Sequence, residues 1–348
     1  MNQIAEALPN TAPDQYDRTL LENTHPPEWT NPRPQGRYNL VVIGAGTAGL
    51  VSAAGAAILG ARVALVERNL MGGDCLNFGC VPSKSLIAAA RTAHAVREAA
   101  GFGVEIPGPP EVRFQQVMER VRRIRSNISV HDSADRFAAL GVDVFFGQAQ
   151  FVSRRSIEVA GTRLDFSRAI IATGARAADL QVPGLKEAGY LTNETVFSIN
   201  EQPKRLIVVG SGPIGCELGQ AFHQLGSNVT MVSAGSKLLP KDDPDAAQVL
   251  QKRFEREGIQ MRFNARILRA ETSPRGKALV FDRGNGEEDV TADEILVAVG
   301  RAPNVEGLNL EAAGIEYNNK GVLVDNRLRT SNPRVYAAGD IASQYQFT

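Results

Sequence analysis

The chain has 348 residues with 38 basic and 38 acidic side chains, so its formal net charge is zero, and charged residues make up 22%. That length sets an expectation of two domains, and the balanced charge lacks the electrostatic footprint of a nucleic-acid or anionic-membrane binder. Three cysteines are too few for a secreted disulfide scaffold. No basic start leads into an apolar core at the N-terminus, and no apolar run reaches membrane-spanning length. A soluble, cytoplasmic protein with no nucleic-acid or membrane partner is expected.

Residues 1–36 are polar and dotted with proline (Pro26, Pro27, Pro32, Pro34). They read as an extended arm rather than a domain, with Trp29, the sole tryptophan, as a locally buried loop aromatic. From Tyr38 the pattern changes. Asn39–Ile43 is a short apolar strand that runs into Gly44-Ala45-Gly46-Thr47-Ala48-Gly49 and then into an alanine-rich helix through Gly60. A second strand, Arg62–Val66, ends at Glu67. A glycine turn that follows a strand and opens a helix is the context a dinucleotide needs. The first glycine makes the turn, the second admits a pyrophosphate, and the third lets helix and strand pack closely. The helix N-terminus then faces the negative charge, and a carboxylate at Glu67 can accept hydrogen bonds from a ribose diol.

The next motif is Gly72-Gly73-Asp74-Cys75-Leu76-Asn77-Phe78-Gly79-Cys80-Val81-Pro82-Ser83-Lys84. Two thiols five positions apart close a disulfide at small entropic cost. Pro82 suits the first turn of a helix, which places Cys80 at a helix N-terminus, where the dipole favours a thiolate. The pair reads as a redox device. Zinc is disfavoured because a tight four-ligand set is absent: Cys216 and the scattered His25, His94, His131 and His223 form no second pair.

Residues 82–100 and 112–140 read as helical from their three- and four-residue apolar spacing, and segments near 142–166 as antiparallel strands. Ala169–Gly174 is a further buried strand and turn. The pattern then repeats: strand Arg205–Val209, turn Gly210-Ser211-Gly212-Pro213-Ile214-Gly215, a helix to Gly226 and strand Asn228–Val232. Glu294–Arg301 mirrors residues 169–176, so the chain carries an internal duplication of a nucleotide-binding unit. In the second copy Ser233 stands where a ribose-binding acid is expected. That removes a charge that would repel a 2′-phosphate. Lys237 lies near, but no arginine occupies the place that would favour the phosphate, so NADH and NADPH both stay open. Cys216, on the helix after the second turn, reads as a buried small residue.

On these residues the chain resembles the disulfide-reducing flavoproteins that include dihydrolipoyl dehydrogenase, glutathione reductase and mercuric reductase, from about Tyr38 to the C-terminus. Within them it most resembles the mercuric-reductase-like branch. The resemblance implies an α/β fold of two Rossmann-like, three-layer domains. The FAD domain (37–185 and 306–348) holds an inserted NAD(P) domain (186–305). It implies FAD at Gly44, Gly46, Gly49 and Glu67, and NAD(P)H as electron donor at Gly210, Gly212, Gly215 and Ser233. Cys80 is then the charge-transfer thiol and Cys75 the interchange thiol. Lys84 approaches the flavin N5, paired with Glu217, because a cation there stabilises reduced anionic flavin. Thr173, Gly174 and the backbone near Ala149 line the FAD site, Gly300 lies in the equivalent turn on the nicotinamide side, and Asp340 of Ala337-Ala338-Gly339-Asp340 contacts the ribityl or pyrophosphate region.

The implied reaction carries electrons from NAD(P)H through FAD to a Cys75–Cys80 disulfide, and on to a disulfide or Hg(II). The acceptor is thus a small molecule or a metal ion. The alternative is an FAD/NAD(P)-binding protein with only diaphorase-like activity or no turnover. Family members continue for roughly another hundred residues beyond a point matching Asp340, so a C-terminally truncated chain is expected. It would lack the dimerisation domain, the partner's His–Glu acid–base pair and a C-terminal cysteine pair. Phe78 replaces a smaller aliphatic residue inside the cysteine motif.

Overall fold

The computed structural model describes residues 13–108 and 110–342. It divides the chain into two compact units, one of residues 1–81, 122–176 and 301–348, the other of residues 82–121 and 177–300.

The first unit is built on a seven-stranded sheet. Strands Val142–Phe146, Val63–Glu67, Tyr38–Ile43 and Thr162–Ile171 lie side by side and parallel, and Val335–Ala337 also pairs in parallel with Thr162–Ile171. Ser156–Val159 and Ala149–Ser153 extend the sheet in antiparallel fashion. The expectation that all segments near 142–166 are antiparallel is therefore corrected for Val142–Phe146, whose register runs Val63 opposite Val142 to Glu67 opposite Phe146. The reason is burial: Val142, Val144 and Phe145 are apolar and enclosed, as suits a parallel strand covered on both faces. The two faces separate by parity. Val41, Ile43, Ala64 and Val66 face one core with Phe151, Leu164 and Leu310. Val42, Val63, Leu65 and Val144 face the other with Leu50, Ala53 and Phe137.

The N-terminal arm is not simply extended. Gln15–Thr24 is a helix capped by Asp14, whose side chain accepts from the N–H groups of Tyr16 and Asp17, an Asp N-cap of the favoured kind. Trp29 donates from Nε1 to the Val144 carbonyl (3.1 Å) and meets the Phe146 ring edge-on. Asp17, on the helix, pairs with Arg125 at 2.9 Å with both side chains more than nine-tenths enclosed.

The second unit has its own parallel sheet in the order Gln260–Arg262, Asn228–Val232, Arg205–Val209, Glu294–Val297. A three-stranded antiparallel sheet, Arg266–Ser273, Gly276–Asp282 and Glu287–Ala292, accompanies it. One core joins Leu206, Val208, Phe222, Phe254 and Leu296 with Leu86 and Phe114. Another joins Ile207, Val209, Leu279, Phe281 and Ile295. Helix Cys80–Glu98 begins in the first unit and, from Pro82, counts to the second. No helix of the described residues is long and apolar enough to cross a membrane.

Burial dominates the Asp17–Arg125 pair: it pushes the Asp17 carboxyl up and the Arg125 guanidinium down, against their mutual attraction. A buried pair of this kind is weak as net stabilisation but costly to break. Asp17→Asn or Arg125→Met alone is expected to lower the unfolding free energy by about 3 kcal/mol. The double change Asp17→Leu with Arg125→Met should lower it less than either single change, as read from urea unfolding midpoints.

Candidate redox and nucleotide site

The two glycine turns repeat one packing solution. Gly44 has φ +102°, and a Cβ there would stand 2.3 Å from the Ala172 carbonyl oxygen; Gly210 has φ +114°, and its Cβ would stand 2.3 Å from the Ala298 oxygen. The third glycine of each turn touches the first: a Cβ on Gly49 would lie 1.8 Å from the Gly44 oxygen, and one on Gly215 would lie 2.7 Å from the Gly210 oxygen. Helices Thr47–Ile58 and Pro213–Leu225 start from Gly46 and Gly212, and neither start is capped by a side chain. Their first N–H groups are thus not occupied by a cap, and a Cβ on Gly212 would meet nothing within 4 Å. This backbone suits a phosphate-bearing ligand at each helix start.

Behind the turns the two copies differ. Glu67 is enclosed, with its oxygens accepting from the N–H groups of Ala45 (2.7 Å) and Asn69 (2.8 Å). Burial raises its pKa against those hydrogen bonds. Besides the ribose role expected of it, this carboxylate anchors the first glycine turn. In the second copy the Ser233 hydroxyl meets that of Ser211 at 2.9 Å and accepts from the Gly235 N–H at 3.1 Å. A neutral hydroxyl pair thus does the anchoring there.

Thr173 and Gly174 form a turn stitched to Asn304. Thr173 Oγ1 donates to the Asn304 carbonyl (2.9 Å), Asn304 Nδ2 donates to the Thr173 carbonyl (2.8 Å), and the Asn304 N–H donates to the Gly174 carbonyl (3.0 Å). Gly174 and Gly300 both have positive φ and open space at Cβ. Ala149 is buried at the start of its strand and paired with Val159, and its carbonyl accepts from Gln148 Nε2.

Cys75 lies in the short helix Gly73–Asn77, which the sequence did not announce, and Cys80 opens helix Cys80–Glu98. Both are thiols here, half-buried, and they meet. Burial, the Cys80 sulfur and the Asp132 carboxylate push the Cys75 thiol up to about 12, while the Cys80 backbone N–H pulls the other way. Burial and these neighbours therefore disfavour the thiolate form at Cys75. Cys216 is buried on its helix, its S–H directed at the Ser211 carbonyl (3.5 Å), and burial pushes it up to about 12. In the second unit Lys84 Nζ contacts both Glu217 oxygens, at 3.0 and 2.7 Å, although the two side chains are 62% and 44% exposed.

Three residues of the site escaped sequence reasoning. Asp132 stands far from the motif in sequence. Asp74 lies inside the motif and Arg301 directly after Gly300, yet neither carries a periodicity or spacing signal. Arg301 Nη2 pairs with Asp74 at 2.8 Å, and Arg301 Nε lies 3.4 Å from Asp340 Oδ2, with all three side chains largely buried. Burial raises the Asp340 pKa; Arg301 opposes the rise and Asp74 adds to it.

Parallel sheets with glycine-rich turns, and two thiols that meet, are the features the chain offers for comparison with known proteins. The family model for pyridine nucleotide-disulphide oxidoreductases matches residues 38–348, and the chain belongs to that family. FAD and NAD(P)H are the family's cofactors. The chain is 36% identical over 314 residues to a mercuric reductase of Lysinibacillus sphaericus, covering 90% of this chain and 57% of that one. It is 32% identical to a dihydrolipoyl dehydrogenase of Bacillus subtilis (strain 168), covering 86% of this chain and 66% of that one. Among solved structures it resembles the HOCl-induced flavoprotein disulfide reductase RclA from Escherichia coli, with TM-score 0.76 and 29% identity over 89% of this chain and 67% of that one. The Cu(II) complex of the same reductase gives TM-score 0.75 and 30% identity, over 90% of this chain and 68% of that one. The chain thus spans about half to two thirds of the length of several curated relatives, 57%, 63% and 49% for three mercuric reductases.

Treatment of the reduced chain with diamide is expected to remove the Cys75 and Cys80 thiols together as one intramolecular disulfide and to leave Cys216 titratable after unfolding. Peptide mapping checks the pairing; a Cys216-containing disulfide would contradict the placement.

Proposed function

We propose that this chain is a flavoprotein disulfide oxidoreductase whose Cys75–Cys80 pair receives electrons from NAD(P)H and hands them to a disulfide or to Hg(II). The observation that carries the reading is the meeting of Cys75 and Cys80 in a chain with two glycine cradles shaped by backbone contact. Gly44, Gly46, Gly49, Glu67, Thr173, Gly174, Ala149 and Asp340 would hold FAD. Gly210, Gly212, Gly215, Ser233 and Gly300 would hold the nicotinamide nucleotide. FAD supplies the two-electron link between nicotinamide and thiol chemistry.

The chain's own part is thiol chemistry and charge. The Cys75–Cys80 disulfide takes up two electrons and one proton and opens to one thiol and one thiolate, and burial with the Asp132 carboxylate disfavours the thiolate at Cys75. Closing the disulfide again returns the electron pair to the acceptor. An acceptor disulfide is cleaved to two thiols as it takes up protons, and Hg(II) is reduced to Hg(0). Lys84, held by Glu217, supplies the positive charge that favours a reduced anionic cofactor. An ion pair this exposed adds at most about 1 kcal/mol to stability, so its use is functional.

The purified chain, supplied with FAD, is expected to show an oxidised flavin spectrum and to gain a long-wavelength shoulder on two-electron reduction, lost in Cys80→Ser. Gly49→Ala, which drives a Cβ into the Gly44 carbonyl, should abolish FAD retention. Lys84→Met should slow cofactor reduction at least about tenfold while shifting the melting temperature little. A chain that stays colourless with FAD would sink the proposal. Turnover of ferricyanide without turnover of a disulfide or Hg(II) would restrict it to a diaphorase. Comparing kcat/KM for NADPH and NADH tells which nucleotide the Ser233 site prefers.

A further inference from the structure

Arg301, Asp74 and Asp340 come from three distant parts of the sequence and meet in the first unit. Arg301 is 7% exposed at its side chain, and its fork is shared. Nη2 pairs with Asp74 Oδ2 at 2.8 Å and donates to the Ala175 carbonyl at 2.9 Å. Nε faces Asp340 Oδ2 at 3.4 Å in an ionic contact that does not meet hydrogen-bond geometry. One cation thus serves two carboxylates. Asp74 directly precedes Cys75 and lies with it in the helix Gly73–Asn77. Asp340 follows the strand Val335–Ala337. Whatever holds Asp74 therefore also fixes the backbone from which the Cys75 sulfur projects.

We propose that Arg301 is a positioning residue of the redox pair: by gripping Asp74 and Asp340 at once, it fixes the cysteine helix against the Ala-Ala-Gly-Asp turn and sets the charge felt at Cys75. The proposal rests on the reading of Cys75 and Cys80 as the redox pair. The charged and titratable groups that act on Cys75 are the Cys80 thiol and the Asp132 carboxylate; Asp74, paired with Arg301, precedes Cys75 in the same short helix. Asp132 is itself moderated by Arg136 and His131. Arg301 is the cation paired with the residue that precedes Cys75, and Asp74 is the anion it offsets. Lysine could restore the charge but not the planar fork that reaches Asp74, Ala175 and Asp340 together.

The test uses the full chain reduced with a dithiol and alkylated with iodoacetamide from about pH 6 to about pH 10, where thiolate fraction sets the rate. Cys75, Cys80 and Cys216 peptides are followed separately by mass spectrometry. Arg301→Gln leaves Asp74 uncompensated beside the thiol and should slow Cys75 alkylation roughly three- to tenfold near neutral pH. Asp74→Asn should speed it by a similar factor. The double variant should return close to the parent rate, and Arg301→Lys should fall between parent and Arg301→Gln. Opposite signs for Arg301→Gln and Asp74→Asn, cancelling in the double variant, are what a merely structural role does not produce. The proposal is overturned if folded Arg301→Gln keeps the parent Cys75 profile, or if all three cysteines speed up together, as in loosened packing. Should Arg301→Gln fail to fold, Asp74→Asn and Arg301→Lys decide: an unchanged Cys75 profile in both overturns it. Alkylation of the reduced thiols needs neither FAD nor NAD(P)H, so a negative result here leaves the flavin-spectrum test of the proposed function standing on its own.

Discussion

The constraint on which the two units depend is backbone touching backbone at the glycine turns. In the first unit the Ala172 carbonyl occupies the space beside Gly44 that any Cβ would need, and the Gly44 carbonyl occupies the space beside Gly49. The second unit makes the same contacts with Ala298, Gly210 and Gly215. These approaches bring each helix start down onto the carboxyl ends of parallel strands, where ligands of open α/β sheets bind. Side chains then finish the job differently in each copy. Glu67 ties its turn down through the Ala45 N–H, whereas Ser211 and Ser233 join hydroxyl to hydroxyl. A buried acid and a buried hydroxyl pair are alternative solutions to one geometric demand.

What the sequence disclosed follows from how local each signal is. The strands at 39–43 and 205–209, the glycine turns and the helices after them are written in contiguous residues, and they stand where periodicity and turn chemistry put them. Pro82 correctly announced a helix starting at Cys80. The direction of Val142–Phe146 was not legible, because alternation in a short strand reports which side chains are buried and not which neighbour the strand joins. The helix Gln15–Thr24 was masked by the prolines that follow it, and its cap at Asp14 is one side chain in a polar stretch. The Arg301 cluster was invisible for a deeper reason. An ion pair between residues 74 and 301 is created by folding, and no local pattern encodes it.

Charged side chains in this molecule fall into two energetic regimes. Asp17 with Arg125, and Arg301 with its two carboxylates, are enclosed. There desolvation rivals attraction, and the groups hold because removing one partner would strand the other. Lys84 and Glu217 sit in the opposite regime: close in distance yet open to water, where screening leaves little stabilising energy. Such a pair, on a helix that opens at Cys80, adds little that the fold needs for stability.

The thiols themselves show the same division of labour. Cys75 and Cys216 are both driven towards the protonated form, and burial is the first cause for each. For Cys216 the burial is that of a packed helix face, with its S–H spent on the Ser211 carbonyl, and nothing else follows from it. For Cys75 burial is incomplete, and the Cys80 sulfur and the Asp132 carboxylate add to it. A carboxylate beside a half-buried thiol disfavours the thiolate at that sulfur, so charge and burial act in the same direction on Cys75. Two cysteines with similar pKa values thus have different meanings. Cys216 is raised by the packing around it, and Cys75 by burial to which its Cys80 and Asp132 neighbours add.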